Sequence, residues 1–246
     1  MLTDIDAHEA LETFFLDEVI DEVVGLVKAG KEAVVYLVRK SATPPVLYAA
    51  KIYKDSVHRT FRNDADYRAG RWIGDDRIER AIAKGSDLGR QAWVGVWRGQ
   101  ECGVMRRLYE AGARVPQFIR AGGDAILMEY IGDEEYPAPL LRNVRLPRDQ
   151  ARRVFDQVVE DLGIFLDEGV VHGDLSAYTM LWWQGEAVII DFPQSVDLYK
   201  NPNAPRLLER DLHNVVAYFS KQGVDCSVLE LMERFRGLVP WRKMPV

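Results

Sequence analysis

Two aspartates carry most of the chemical information in this chain. Asp174 follows His172-Gly173 within Val170 to Leu181, and Asp191 closes the apolar run Ala187-Val188-Ile189-Ile190, seventeen residues further on. The pattern reads as loop, short strand, turn and strand. A carboxylate placed like Asp174 can accept a hydrogen bond from an incoming hydroxyl and orient it. One at a strand end, like Asp191, suits a magnesium ion that is already held by phosphates. Far upstream, Lys51 sits in the apolar strand pattern Tyr48-Ala49-Ala50-Lys51-Ile52-Tyr53. An ammonium there must find a polar partner, because burying it unpaired is costly. Glu101, on a predicted helix face with Trp97 and Met105, is the natural one. The turn Ala29-Gly30-Lys31-Glu32-Ala33 joins two strand patterns and could offer backbone N–H groups to phosphate oxygens. A phosphate loop, a held cation, a metal carboxylate and a hydroxyl-orienting carboxylate are the parts that phosphoryl transfer from ATP requires.

Each part alone has a plainer reading: a hairpin turn, a snorkelling lysine, a solvated glutamate, a capping aspartate. That reading has to succeed independently at every position, which makes it weak for the set. His172 is read as a brace for its loop rather than as a proton carrier.

The surrounding pattern divides in two. Residues 1 to 22 form an N-terminal arm, with Ala10, Leu11, Phe14 and Phe15 on one side of a helix. Strands follow at Val19 to Val38, around Gly30, and at Val46 to Tyr53. Residues 54 to 90 are polar and basic and read as an insertion, either mobile or helical, whose basic side chains more often make a solvated loop than a docking surface. A helix is expected over Gln91 to Gly112, then paired strands around Gly122-Gly123 ending at Ile131. Pro147 opens a helix with Ala151, Val154, Phe155, Val158, Leu162 and Phe165 on one face, closed by Gly169. Leu207 to Phe219 is a further helix. Strands in the first half and helices in the second predict an α+β chain, with a small β-rich lobe over 23–131 and a larger helical lobe over 132–246.

Composition narrows the setting. The chain has 246 residues, 48% of them hydrophobic, and a net charge of -6. That balance predicts no broad nucleic-acid surface. Cys102 and Cys226 give neither a disulfide framework nor metal-ligand spacing. No apolar run reaches bilayer length and the start is acidic, so the expected location is the cytoplasm, with no membrane partner.

These residues resemble the RIO family of atypical serine/threonine protein kinases, in its RIO1-type branch. The likeness runs from about Val23 to Phe219. It rests on Gly30-Lys31-Glu32-Ala33 with Val35-Tyr36, on Ala50 to Lys54, on Trp97 with Glu101, and on Met128-Glu129-Tyr130-Ile131-Gly132 leading to Pro137 through Leu141. The Asp174 loop, Ile190 to Val196, Asn201 to Ala204 and Arg210-Asp211 complete it. About twenty residues precede the first strand, so no winged-helix domain is expected ahead of it.

The resemblance implies a bilobal protein-kinase-like (RIO) fold that takes ATP with Mg2+, or with Mn2+ as the alternative ion. Adenine would lie against the backbone of Met128, Glu129, Tyr130 and Ile131, with Gly30, Lys31, Glu32 and Ala33 over the phosphates and Lys51, held by Glu101, reaching them. Asp174 would be the catalytic aspartate and Asp191 the metal aspartate. The counterpart of Asp191 has also been taken as the acceptor of an aspartyl-phosphate, so autophosphorylation or slow ATP hydrolysis stands beside phosphorylation of an outside protein. Two positions depart from the family pattern. Thr179 stands where an asparagine would be the second metal ligand, and Ala29 where a serine or threonine commonly precedes the glycine. A nucleotide-binding scaffold with little catalysis is therefore one alternative. A small-molecule phosphotransferase, which also uses His-Gly-Asp, is another, and the residues at 30–33, 137–141 and 192–196 argue against it. The protein acceptor and the oligomeric state are not readable.

Overall fold

β-branched and aromatic residues make up half of Ala33–Lys40 (β2) and Val46–Tyr53 (β3), Val23, Val24 and Val27 fall in Glu22–Ala29 (β1), and all three segments are strands. The computed structural model describes residues 4–54 and 87–239. The bulk of the predicted insertion, 55–86, lies outside the described residues. The described chain forms two units. One holds residues 4–54, 87–102 and 116–137, and the other holds 103–115 and 138–239.

In the first unit, β1 to β3 join Phe118–Gly122 (β4) and Ala125–Glu129 (β5) in an antiparallel sheet of order β1-β2-β3-β5-β4. Strand alternation gives this sheet two different faces. Val34, Tyr36, Val38, Ala50, Ile52 and Leu127 face the N-terminal arm, which folds as Asp4–Ala10 (α1) and Glu12–Leu16 (α2). Ala7, Leu11, Phe14 and Ile20 of the arm are fully buried against them. Each large apolar side chain removed from water in this way contributes roughly 1.5–3 kcal/mol. Arg120 pairs with Asp17 at 2.5 Å and holds the arm to β4. At Gly122 the sheet passes so close to the arm that a Cβ would lie 3.3 Å from the Phe14 ring. The other face carries a smaller cluster of Leu37, Ala49 and Tyr130, with Val27, Val35 and Met128 packed on it. Lys51 shares the parity of Ala49 and so emerges on this second face.

The helix expected to begin at Gln91 begins earlier, as Asp87–Glu110 (α3). A single glycine, here Gly89, costs a helix interior only about 1 kcal/mol, so it did not mark a boundary.

In the second unit, Arg148–Asp167 (α4) buries every apolar residue predicted for its inner face. It stops ahead of Gly169, which has φ 66°. Val170–Val171 (β6) pairs with Val196–Asp197 (β9), and Met180–Trp183 (β7) pairs with Glu186–Ile189 (β8) across a turn at Gln184-Gly185, both with positive φ. Ala204–Lys221 (α5) extends beyond the predicted helix at both ends, and Ser227 caps Val228–Arg234 (α6) in a capping box. Arg114 ties three parts of this unit together. Its backbone N–H and its guanidinium both donate to Asp161 Oδ1 at 3.1 Å, its guanidinium also reaches Glu160, and its carbonyl accepts from Ile189 N–H at 2.8 Å. Among the described residues no helix is long and apolar enough to cross a membrane.

Candidate active site

The predicted cation and its partner lie in the first unit. Lys51 lies at the centre of the sheet, opposite Val35 on β2 and Ile126 on β5. It is 8% exposed, and its Nζ donates to Glu101 Oε1 at 2.7 Å. Glu101 is 1% exposed and accepts a second hydrogen bond from the Tyr53 hydroxyl. Two side chains from one strand thus hold one carboxylate. Burial and the facing Glu101 charge push the Tyr53 hydroxyl pKa well above the ordinary tyrosine value, so it stays a donor.

The predicted phosphate loop is a tight connection between β1 and β2, with Gly30 N–H donating to the Ala33 carbonyl at 2.9 Å. A Cβ at position 30 would approach that carbonyl to 3.1 Å, closer than an ordinary van der Waals contact. Lys54 fastens the turn from β3. Its N–H donates to the Glu32 carbonyl at 2.9 Å and its Nζ to the Gly30 carbonyl at 2.6 Å. Lys31, Glu32 and Ala33 follow Gly30 in this turn, with Lys31 exposed. Met128 and Glu129 end β5, where Glu129 Oε2 accepts from Gln117 N–H at 3.0 Å, and Tyr130 and Ile131 are buried just beyond.

The two predicted aspartates lie in the second unit, on the loop between β6 and β7 and on the turn after β8. Asp174 is exposed, yet the backbone on either side of it is held by α5. Asp211 accepts from Gly173 N–H at 2.7 Å and from Leu175 N–H at 2.9 Å. Arg210 donates to the Gly173 carbonyl, and Asn214 donates to the Leu175 carbonyl at 3.0 Å. All four backbone polar groups flanking Asp174 are therefore satisfied by one helix face. Burial pushes the Asp211 carboxyl up to about 7, against the pull of its two N–H donors. The Asp174 carboxyl is raised as well, by partial burial and the nearby Asp191 charge, with the Arg210 cation pulling it down.

His172 links the two acidic segments. Its Nε2 is 3.2 Å from the Ile190 carbonyl, and its Nδ1 accepts from Asp174 N–H at 3.3 Å. Those partners fix a neutral ring with its proton on Nε2. Complete burial pushes its pKa down to about 4. The ring also lies 5.1 Å from that of Phe192. Asp191 itself has φ 75°, a left-handed conformation that aspartate tolerates better than most residues, and the backbone turns out of the strand there.

Thr179, the other predicted metal position, is buried. Its Oγ1 accepts from Ser176 N–H at 3.0 Å and faces the carbonyls of Ser176 at 3.1 Å and Asp174 at 3.3 Å. The hydroxyl closes the loop on itself. Among the described residues no three His, Cys, Asp or Glu side chains cluster as a metal cage. A single carboxylate fits magnesium, which takes few protein ligands and fills its octahedron with phosphate and water oxygens.

Sequence reading paired Lys51 with Glu101 and grouped His172, Asp174, Thr179 and Asp191 on neighbouring segments, as the structure does. It did not find the Tyr53 hydroxyl, the Lys54 tether or Asn214. Their polar groups bond backbone or carboxylate partners that are remote along the chain, a use that local composition does not signal.

Comparison with known proteins matches this construction. The RIO domain family model covers residues 34–231. Serine/threonine-protein kinase RIO1 of Homo sapiens is 33% identical over 218 residues, or 88% of this chain, and the chain spans only 36% of that relative's length. RIO-type serine/threonine-protein kinase Rio1 of Haloferax volcanii is 34% identical over 89% of this chain and 70% of its own. Among solved structures, the Rio2 kinase of Chaetomium thermophilum as an ADP/Mg2+-phosphoaspartate complex has a TM-score of 0.64 at 20% identity, over 93% of this chain and 66% of that one. The sheet, the Lys51–Glu101 pair and the clamped Asp174 loop are thus parts of a RIO-type, protein-kinase-like α+β fold, and the chain belongs to the RIO domain family.

Proposed function

We propose that this chain is a magnesium- and ATP-dependent serine/threonine protein kinase that acts on a protein acceptor or on itself. The observation that carries the reading is Asp174, an exposed carboxylate on a loop whose flanking backbone is immobilised on both sides. Such a group can orient a hydroxyl without itself moving. The acceptor oxygen bonds to the γ-phosphorus of ATP, the bond from that phosphorus to the β-phosphate oxygen breaks, and ADP leaves. The hydroxyl proton passes to Asp174. Lys51, aimed by Glu101, would bind phosphate oxygens, and Asp191 would supply the carboxylate for magnesium. The magnesium ion neutralises charge on the phosphates. The reading requires the ammonium and both carboxylates to serve one triphosphate. Val27, Val35, Ala49 and Met128, on the sheet face of Lys51, offer an apolar surface for adenine.

The kinase names of the relatives and the ADP/Mg2+ state of the Rio2 structure support this chemistry. The phosphoaspartate in that same structure supports a second outcome, in which Asp191 takes the phosphoryl group and water releases it, giving slow ATP hydrolysis. Both outcomes are tested by single turnover with γ-labelled ATP in wild type and Asp174→Ala. Wild type is expected to lose label from ATP about 1,000-fold faster than the variant. Equal rates would remove the enzyme reading and leave a nucleotide-binding scaffold.

A further inference from the structure

The segment from Leu141 to Arg153 carries five arginines and one aspartate in a chain of net charge -6. Arg152 is neutralised by Asp156 at 2.8 Å. Arg142, Arg145 and Arg148 are exposed, as is Lys221 at the end of α5, and among the described residues none of these four meets a carboxylate. Their backbone is fixed. The 3-10 helix Leu141–Asn143 is held by the Tyr218 hydroxyl, which donates to the Leu141 carbonyl at 2.8 Å, and Leu146 N–H donates to Gln222 Oε1 at 3.4 Å. One end of the segment touches the Asp174 loop. Arg142 N–H donates to the Ala177 carbonyl at 3.1 Å, and the Arg142 guanidinium stacks 3.9 Å from the ring centre of Tyr178, itself 57% exposed. The other end borders a surface cavity of ≈ 450 Å³ lined by Arg145, Leu146, Pro147, Arg148, Lys221 and Gln222.

We propose that Arg142, Arg145, Arg148 and Lys221 form a docking strip for an acidic segment of the protein acceptor, running from the catalytic loop to this cavity. The assignment rests on the kinase reading above and adds the chemistry of the substrate to it. Six residues separate Arg142 from Arg148, so the strip spans at most about 20 Å. An extended acceptor with its serine at Asp174 therefore presents carboxylates or phosphates to the cavity about six residues away. A short acidic peptide feels mainly these local cations. A long polyanion such as RNA meets the repulsion of a negatively charged molecule, so the peptide is the occupant.

The test uses the full chain without nucleotide. Fluorescence anisotropy would follow a fluorescein-labelled peptide that carries one serine and, about six residues later, four glutamates. Wild type is expected to bind it, and Arg145→Glu/Arg148→Glu/Lys221→Glu to bind about tenfold or more weakly. Circular dichroism would check that the variant is folded, and Lys221→Glu alone, at an exposed helix end, serves if it is not. In phosphorylation of the same peptide, Arg142→Ala is expected to raise KM by a larger factor than it lowers kcat. Equal binding by wild type and the triple variant, or no binding by wild type, would overturn the strip. Tighter binding of a single-stranded RNA of equal charge, lost in the same variant, would overturn its assignment to protein. The binding outcomes are read without ATP, so they stand apart from the Asp174→Ala result.

Discussion

The candidate residues of the two units are held in opposite ways. In the first unit the functional group is restrained through its own charge, because Lys51 bonds Glu101 and is buried with it. In the second unit the candidate carboxylate, Asp174, is left exposed, and the restraint falls on the backbone around it through Arg210, Asp211 and Asn214. The first arrangement couples chemistry to stability, since removing the ammonium strands a buried acid. The second separates them, since Asp174 can be deleted while its loop stays clamped.

The largest expected effect tests that separation. Asp174→Ala should lose about 1,000-fold in single-turnover rate while its thermal midpoint stays within about 2 °C of wild type. A large drop in midpoint would show the carboxylate to be structural. Next, Lys51→Ala should cost about 3–5 kcal/mol in urea unfolding, because Glu101 is left buried with only the Tyr53 hydroxyl as a partner among the described residues. Lys51→Met combined with Glu101→Gln should recover most of that loss without recovering ATP turnover. If the single and double variants are equally unstable, the coupling is absent.

Asp211→Asn attacks the clamp itself. An amide can accept from only one of the two N–H groups and turns its own NH2 toward the other, so the cost is about 2 kcal/mol with a fall in turnover. Asp161 offers a pH test in the same unit. Burial pushes its carboxyl up to about 6, and its Oδ2 has no hydrogen-bond partner among the described residues. The folded state therefore favours the protonated acid. That contribution is present in full below the unfolded value of 3.8 and is lost as pH rises through about 6. The stability of wild type relative to Asp161→Asn should accordingly decline between pH 4 and pH 7, in urea titrations at fixed ionic strength. A rising difference would mean that the Arg114 cation dominates over burial. The smallest effect is expected for Thr179→Asn, a change within about threefold in turnover, since on the proposed reading Asp191 supplies the carboxylate, and the backbone bond from the N–H of residue 179 to the Ser176 carbonyl, 2.9 Å, survives the loss of the hydroxyl. A rise of about a hundredfold would show that the native hydroxyl limits the metal site.

Lys51, Glu101, Asp174 and Asp191 were legible because each interrupts an apolar period or ends one, and an ionisable group in such a place demands an explanation. The helices with strong amphipathic faces were legible for the same reason. The clamp on Asp174 was not. Arg210 and Asn214 look like the solvated side of α5, and only the folded chain shows that this side meets a loop more than thirty residues upstream. The paired strands β6 and β9 are two residues long, too short to show any period. That the Thr179 hydroxyl bonds within its own turn is a matter of loop geometry that residue type does not encode.

His172 joins the two aspartate segments through space, by the Asp174 N–H on one ring nitrogen and the Ile190 carbonyl on the other. The hairpin that connects them along the chain, with its exposed tip at Gln184-Gly185, is thereby relieved of setting their spacing. That tip is a suitable place to open the polypeptide for circular permutation or to graft a reporter domain, with both acids keeping their positions.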